Sequence, residues 1–196
     1  MIRIKFITTA LTISLLTLAT DASAQAFGIE KGTPIDGLDI LKEVRQFGYS
    51  IEVPKPHSEF DSYLVFATPE IGVCAVNGIG KDHDNDRYGA SVRGAFTKLR
   101  GALENLYGPH NVYDFIKKGA LWDDPEEWVM AIHQNERFHA AFWTREDKSD
   151  LPEGLSGISL TVKTLSSDKS YITLGYEFDN MSECVRIDES ANEGGL

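Results

Sequence analysis

The feature that most constrains the fold of this chain is one long amphipathic helix with strand-forming segments on both sides. Apolar residues recur at helical spacing between Val92 and Leu106, and Gly108 and Pro109 follow directly, as is usual where a helix ends. β-rich segments precede the helix at 62–68 and 72–79 and follow it at 127–134, 138–144, 157–165 and 170–178. This order predicts an α+β fold in which the helix, over residues 89–107, packs on an antiparallel sheet.

The last two β-rich segments indicate that each strand has one buried and one solvated face. Apolar and polar residues alternate from Ile158 to Lys163 and again from Ile172 to Phe178, and alternation of this kind is typical of antiparallel strands with one wet face. Before the central helix, Pro69 and Glu70 join the segments 62–68 and 72–79 into a predicted hairpin.

Helices are also predicted near both ends of the mature chain. Thr33 and Pro34 suit the start of a helix, and apolar residues follow it at helical spacing: Ile35, Leu38, Leu41 and Val44. Asn180 with Glu183 forms a capping-box pattern that opens a short final helix. A strand at 50–53 and a short helix at 113–118 complete the assignment.

Together these elements predict an antiparallel sheet of about six to seven strands, with the long helix and an N-terminal helix on one face. Residues 25–188 are expected to form a single α+β domain. Residues 189–196 carry nothing to bury and are expected to be a disordered tail.

Residues 1–24 have the pattern of a secretory signal peptide. Arg3 and Lys5 precede an apolar run that begins at Phe6, and Ala22-Ser23-Ala24 is a small-residue cleavage pattern. The run is too short for a membrane span, and no cysteine near the cut offers a lipid anchor. We therefore expect a periplasmic or secreted protein, cleaved near Ala24, with no membrane anchor.

The charge of the chain limits its partners. The formal net charge is −11 and becomes −12 when Arg3, Lys5 and Asp21 leave with the leader, since two cations and one anion are lost. A chain this acidic repels phosphate backbones, so nucleic acid and anionic membranes are poor partners. We expect the partner to be another protein.

Two cysteines, Cys74 and Cys184, remain in the mature chain. In an oxidising compartment an even count favours a disulfide, although two buried free thiols are the alternative. A bridge would tie the C-terminal helix to the sheet and would add about 4–5 kcal/mol in the chain-entropy model.

The chain resembles a loose group of uncharacterised bacterial exported α+β proteins. Phe27-Gly28 before the first element, the Gly72-Val73-Cys74 strand, Tyr107-Gly108-Pro109 and Trp128 carry the likeness. The element order is also similar to the helix-plus-sheet modules of outer-membrane assembly lipoproteins and to β-lactamase-inhibitor-like domains, although the lipoproteins' anchoring cysteine is missing. The resemblance implies a fold and a compartment and carries no catalytic residue across.

Two glycine-rich or acidic segments resemble ligand loops but fail at the decisive positions. Asp82, Asp84 and Asp86 alternate like the start of a calcium loop, yet Arg87 and Arg93 stand where an EF-hand needs glycine and a bidentate glutamate. We expect an acidic turn that caps the following helix. The 78–81 segment lacks the first glycine and the final serine or threonine of a phosphate-binding loop.

His133 and His139 are the candidate metal ligands. If a three-residue loop joins strands at 127–134 and 138–144, the two histidines face each other on the solvated side of the sheet, and the apolar residues collect on the other side. A zinc or copper site needs at least one further ligand, and none is evident. We therefore expect ordinary surface histidines and no cofactor.

Residues 122–128 form the most unusual local stretch and the candidate interaction segment. Four carboxylates lie between two tryptophans in this stretch: Trp122, Asp123, Asp124, Glu126, Glu127 and Trp128. Tryptophan is favoured at interface hot spots, and paired acids also serve glycosidases. The alternative is a solvated loop whose tryptophans fold into the core.

The sequence therefore favours a binding function over catalysis. It contains no G-x-S-x-G, H-E-x-x-H or C-x-x-C motif. The first hypothesis is an exported, non-catalytic binding or interaction domain, for example an inhibitor or immunity-type protein. The alternative is a small hydrolase or metal-dependent enzyme that uses scattered Asp, Glu and His residues.

Overall fold

A computed structural model describes residues 24–193. The predicted leader, apart from Ala24, and residues 194–196 of the predicted tail lie outside this range. The chain has an α+β fold built on a fully antiparallel eight-stranded sheet. None of the helices within 24–193 combines the length and apolarity needed to cross a membrane.

The strands follow one another along the chain as β1 (Gln25–Ala26), β2 (Ile29–Glu30), β3 (Asp39–Arg45), β4 (Gly48–Glu52), β5 (Phe60–Thr68), β6 (Gly72–Gly80), β7 (Asn111–Ile116), β8 (Arg137–Thr144), β9 (Leu155–Thr164) and β10 (Ser170–Phe178). The first two form a separate small hairpin. The others form the main sheet in the order β3-β4-β5-β6-β10-β9-β8-β7. Two four-stranded meanders thus meet along β6 and β10.

The helices are α1 (Ala90–Tyr107), α2 (Trp128–His133) and α3 (Met181–Glu193), and short 3-10 turns lie at Ile35–Gly37 and Pro125–Glu127. Helix α1 packs on β9 and β10, and α2 packs on β8 and β9. The main core lies between these helices and the sheet, where its largest fully buried side chains are Trp143, Phe96 and Phe178.

Helix α3 packs on the opposite face of the sheet, against β5 and β6. A small separate core forms there from Phe66, Cys74, Ala75 and Cys184. The two cysteine sulfurs lie at disulfide distance, with Cα atoms 6.5 Å apart and 110 residues of separation. The pair joins the C-terminal helix to the centre of the sheet, as the sequence predicted.

The predicted N-terminal helix is wrong. After the 3-10 turn at Ile35–Gly37, residues 39–45 form strand β3 and pair with β4. The physical reason is tertiary: β3 covers the backbone edge that β4 would otherwise expose. The apolar residues at 40, 41 and 44 stay exposed, so no buried face exists to stabilise a helix.

Two assignments around α2 are also corrected. Residues 113–118 were predicted as helix, but Asn111–Ile116 is the edge strand β7. Residues 127–134 were predicted as strand, but they form α2, whose buried side chains are adjacent and one turn apart rather than alternating: Trp128, Val129, Ala131 and Ile132. With β3 and β7 gained and 127–134 lost, the sheet has eight strands instead of six to seven.

The remaining elements agree with the sequence prediction to within a few residues. Helix α1, the hairpin β5–β6 and the strands β8, β9 and β10 occupy the predicted segments. Helix α3 begins as predicted after Asn180 but continues to Glu193, so residues 189–193 are helical where a disordered tail was expected.

Candidate interaction surface

One half of the sheet carries a face with no helix over it within the described range. Strands β7 to β10 are covered on one side by α1 and α2, whereas α3 on the other side packs mainly on β5 and β6. We call this uncovered side the open face. The residues on this face include Tyr113, Phe115, Phe138, Phe142, Ser159, Thr161, Gly175 and Glu177, with Asn77 of β6 at its border.

Four aromatic rings form a continuous cluster at the β7–β8 end of the open face. The ring of Phe142 lies 5.7 Å from Tyr113 and 6.4 Å from Phe138, and Phe138 lies 5.8 Å from Phe115, all between centroids. Tyr113 is 44% exposed and Phe115 is 49% exposed. Rings held this close on the edge strand β7 and its neighbour β8 present a contiguous apolar surface to solvent.

A groove of about 410 Å³ lies beside this cluster, towards α3. The ring of Phe142 and the side chain of Met181 form two sides of the groove. Gly157 and Gly175 line it at positions where a larger side chain would fill the space. Strand register explains the shape, because Asn77, Gly175, Ser159 and Phe142 are successive partners across β6, β10, β9 and β8.

Gly175 makes the groove deep and brings two polar groups together. A Cβ atom at position 175 would lie 2.7 Å from Asn77 Oδ1 and 2.8 Å from Ser159 Oγ. The two side chains therefore lean over the glycine from either side. Within residues 24–193 neither of these two side chains makes a hydrogen bond to the protein, whereas the nearby Ser156 Oγ donates to Glu177.

Glu177 supplies a negative charge two residues beyond Gly175 on β10, on the same face of the sheet. Its side chain is exposed, and Ser156 Oγ donates to its Oε1 at 3.2 Å. No lysine, arginine or histidine lies within ion-pair distance of it in the described part of the chain. The groove thus combines a carboxylate, an amide and a hydroxyl with an aromatic wall.

A second cavity of about 350 Å³ lies on the other side of the sheet, between α1 and the N-terminal hairpin. Its wall is mostly apolar, and two of its polar groups are already paired. Lys55 Nζ donates to Gln25 Oε1 at 3.1 Å, and Glu59 N donates to His57 Nδ1 at 3.2 Å. Burial also raises the pKa of Tyr107 and Tyr176 at this cavity, so both phenols stay neutral.

The acidic segment 122–128 does not present two tryptophans to solvent. Trp128 is buried and Trp122 is half-buried, whereas Asp123, Asp124 and Glu126 are exposed and Glu127 is partly so. The backbone N–H groups of Leu121 and Trp122 donate to Glu136 at 2.8 and 3.0 Å. The segment is therefore a tethered acidic loop with its second indole in the core.

The predicted pairing of His133 with His139 across two strands is wrong. His133 lies on α2 with its Nδ1 atom 3.3 Å from Thr164 Oγ1. His139 is on the α1 side of β8, where its ring packs against Phe96 at 4.3 Å and Trp128 at 5.4 Å. The loop-parity argument fails because residues 128–133 are a helix, so strand register does not relate the two.

His139 is instead a buried imidazole beside a cluster of more exposed charged side chains. Its Nδ1 atom lies 3.3 Å from Asp114 Oδ2. Burial lowers the pKa of His139, the Asp114 carboxylate opposes that effect, and Arg93 and Arg137 add to the lowering. Loss of hydration outweighs the carboxylate, so the neutral imidazole is favoured.

The acidic turn before α1 acts as the sequence predicted. Asp86 Oδ2 accepts hydrogen bonds from the backbone N–H groups of Ser91 at 2.9 Å and Val92 at 3.1 Å, so Asp86 caps the helix. Asp82 and Asp84 pair with Lys169 at 2.7 and 3.2 Å, and these contacts raise the pKa of Lys169.

The comparisons with known proteins return no relative. No family model, no curated protein and no solved structure matches this chain. Within residues 24–193 no group of three or more His, Cys, Asp or Glu side chains is placed to hold a metal ion.

Sequence reasoning missed the open-face groove, but part of its signal was visible. The alternation from Ile158 to Lys163 placed Ser159 on the wet face of its strand. What the sequence did not show is that Asn77, Gly175 and Ser159 fall in one cross-strand row. That row depends on pairing β6 with β10, strands more than ninety residues apart in the chain.

Proposed function

We propose that this protein is an exported, non-catalytic binding domain that contacts a partner protein through its open face. An inhibitor or immunity-type role is one concrete form of this function. The leader-like residues 1–24 support a periplasmic or secreted location, and the cysteine pair is compatible with it, because disulfides persist in oxidising compartments.

The observation that carries the proposal is the aromatic cluster on the uncovered half of the sheet. Tyr113, Phe115, Phe138 and Phe142 pack ring to ring, yet two of them remain almost half exposed. A soluble domain rarely leaves a contiguous aromatic patch in water unless it binds something. Aromatic residues are also the usual anchors of protein interfaces.

The expected partner is a protein rather than nucleic acid or a lipid surface. The formal net charge of −11 disfavours phosphate-rich partners. The likeness to exported helix-plus-sheet modules rests on the order of strands, long helix and strands alone, and we keep it as part of the proposal.

The alternative of a small hydrolase gains no support from the described residues. His133 and His139 lie on different elements with separate partners. The exposed carboxylates of residues 123–127 lie on a loop whose second tryptophan is in the core.

Site-specific photo-crosslinking tests the proposal. The photoreactive residue p-benzoylphenylalanine replaces Phe142 on the open face or, as the control, Tyr88, which is 56% exposed beside the start of α1. The proteins are expressed with the leader in native cells and irradiated. We expect a discrete adduct with one partner from position 142 and none from position 88.

A loss-of-contact variant makes the result specific. Tyr113→Asp places a charge in the aromatic cluster on an exposed edge strand, so it should abolish the adduct from position 142 without unfolding the domain. Equal adducts from positions 88 and 142, or no adduct from 142, would contradict the proposed function.

A further inference from the structure

We propose that the open-face groove receives a basic side chain, an arginine or lysine, of the protein partner. This inference rests on the proposed function and specifies its chemistry. The groove beside Phe142 offers hydrogen-bond acceptors, one carboxylate and an aromatic ring within a single recess. A cationic side chain is the group that can use all three.

The acceptors are in place and unoccupied by the protein. Asn77 Oδ1 and Ser159 Oγ converge above Gly175, as their distances of 2.7 and 2.8 Å from a Cβ at that position show. Neither is engaged by another side chain in the described part of the molecule. A guanidinium or ammonium brings several N–H donors on one group, so it can satisfy both at once.

The carboxylate of Glu177 supplies the charge complement. It lies on the same face of β10 as Gly175, lines the groove, and has no cationic partner within 24–193. Other surface carboxylates, such as Asp82 and Asp179, are paired with lysines. A charge-assisted hydrogen bond to an incoming cation is stronger than one between neutral groups.

The aromatic wall favours arginine over lysine. Phe142 borders the groove, and its ring is held in place by Tyr113 and Phe138. A planar guanidinium stacks on such a ring while its edge donates to carboxylate and amide oxygens, which an ammonium cannot do as well. The same contact occurs within this chain, where the Arg45 guanidinium lies 4.8 Å from the centre of Phe66.

The overall charge of the protein acts in the same direction. A net charge of −11 steers positively charged partners towards the surface at long range. The groove then binds one basic side chain at a defined position. The negative charge of the protein therefore contributes to the choice of partner.

Nuclear magnetic resonance titration of the purified, oxidised protein tests this inference. The probe is N-acetyl-arginine methylamide, and the control probe is N-acetyl-citrulline methylamide, which has nearly the same shape without the charge. We expect shifts at Asn77, Ser159 and Gly175 with arginine, and an affinity for citrulline at least about tenfold weaker.

Matched variants test the contributions of the Glu177 carboxylate and of the space above Gly175. Glu177→Gln should weaken arginine binding by about tenfold, whereas Glu126→Gln, which removes the same charge from the exposed acidic loop, should leave it unchanged. Gly175→Ala should also abolish the shifts, because the added methyl displaces Asn77 and Ser159.

The outcomes separate this inference from the proposed function. No shift at these residues up to about 50 mM arginine probe, far above the millimolar dissociation constants of small weak ligands, would overturn the inference. So would equal shifts with citrulline, or equal effects of Glu177→Gln and Glu126→Gln. If the adduct from position 142 persists in those cases, the open face still binds a partner and only its basic anchor is refuted.

Discussion

The indole of Trp128 packs directly on Gly89, the residue immediately before α1. A Cβ atom at position 89 would fall within the van der Waals radii of three indole carbons, and Gly89 has a φ of +66°. The guanidinium carbons of Arg93 and Arg137 lie 5.6 and 5.8 Å from the ring. Trp128 thus fixes α2 against the start of the long helix.

Replacing Gly89 by alanine is therefore expected to destabilise the protein. The methyl group overlaps the indole, and the left-handed backbone conformation adds strain for any residue with a side chain. Overpacking of this kind costs about 1–3 kcal/mol. Urea unfolding monitored by tryptophan fluorescence should show a lower midpoint for Gly89→Ala than for the unmodified protein.

Gly94→Ala in the same helix is the matched control and should have the opposite effect. A Cβ atom at Gly94 meets nothing within 4 Å, and the residue lies inside α1. Alanine is favoured over glycine in a helix by about 1 kcal/mol, so this variant should unfold at a higher urea concentration. If both variants change stability equally, the contact between Trp128 and Gly89 is not the cause.

The Asp86 cap of α1 should be measurable by substitution. Asp86→Ala leaves the N–H groups of Ser91 and Val92 without their acceptor, which costs about 1 kcal/mol at a helix N-terminus. Asp86→Asn keeps an acceptor and should retain most of the stability. Asp84→Ala, which removes only an exposed contact with Lys169, should change the urea midpoint little.

Reduction of the cysteine pair should lower the free energy of unfolding substantially. The link closes a 110-residue separation, and its loss costs about 4–5 kcal/mol in the chain-entropy model. Amide hydrogen exchange should show α3 opening first, because a small core and the partly exposed Arg45–Asp188 ion pair are then what hold it to the sheet within the described residues. The double variant Cys74→Ala/Cys184→Ala should show no response to reductant, and unchanged stability of the natural protein on reduction would refute the link.

His139 should make the protein less stable in mild acid. Burial holds the pKa of His139 below its ordinary value, so the unfolded chain binds the proton more readily than the folded one. The stabilisation is fully present above the unfolded pKa of about 6.5 and is lost progressively as the pH falls from there towards the lower pKa of the folded state. Urea unfolding at about pH 7.5 and about pH 5.5 should therefore differ.

Substitution identifies the group responsible. Asp114, Arg93 and Arg137 all face His139, so the test replaces the imidazole itself. His139→Gln should reduce the difference in unfolding free energy between the two pH values, whereas His133→Gln on the exposed side of α2 should not. An unchanged pH difference in His139→Gln would assign the effect to another group.

The sequence predicts an element correctly where its local pattern and its tertiary environment favour the same secondary structure. Helix α1 has a long apolar stripe and a clear stop at Gly108, and strands β9 and β10 alternate cleanly, so each was found at nearly its observed bounds. The cysteine link was also predictable, because the predicted compartment and the even count of cysteines both favour it.

The wrong secondary-structure predictions share one cause: they fall on short segments whose conformation is set by tertiary contacts rather than by local sequence. Residues 39–45 became a strand because β4 offered an edge, and residues 128–133 became a helix because Trp128 is buried against Gly89. The wrong assignment of 127–134 then misplaced His133 and His139. The groove at Gly175 depends on the register of four strands, which no local pattern contains.

The link between Cys74 and Cys184 turns most of the molecule into a closed ring. The ring contains α1, α2 and strands β7 to β10, including the whole aromatic cluster, whereas strands β1 to β5 precede it. A closed covalent ring cannot pass a narrow channel as a single extended thread. If residues 1–24 direct export, oxidation must follow translocation, and the open face reaches its final form only on the far side of the membrane.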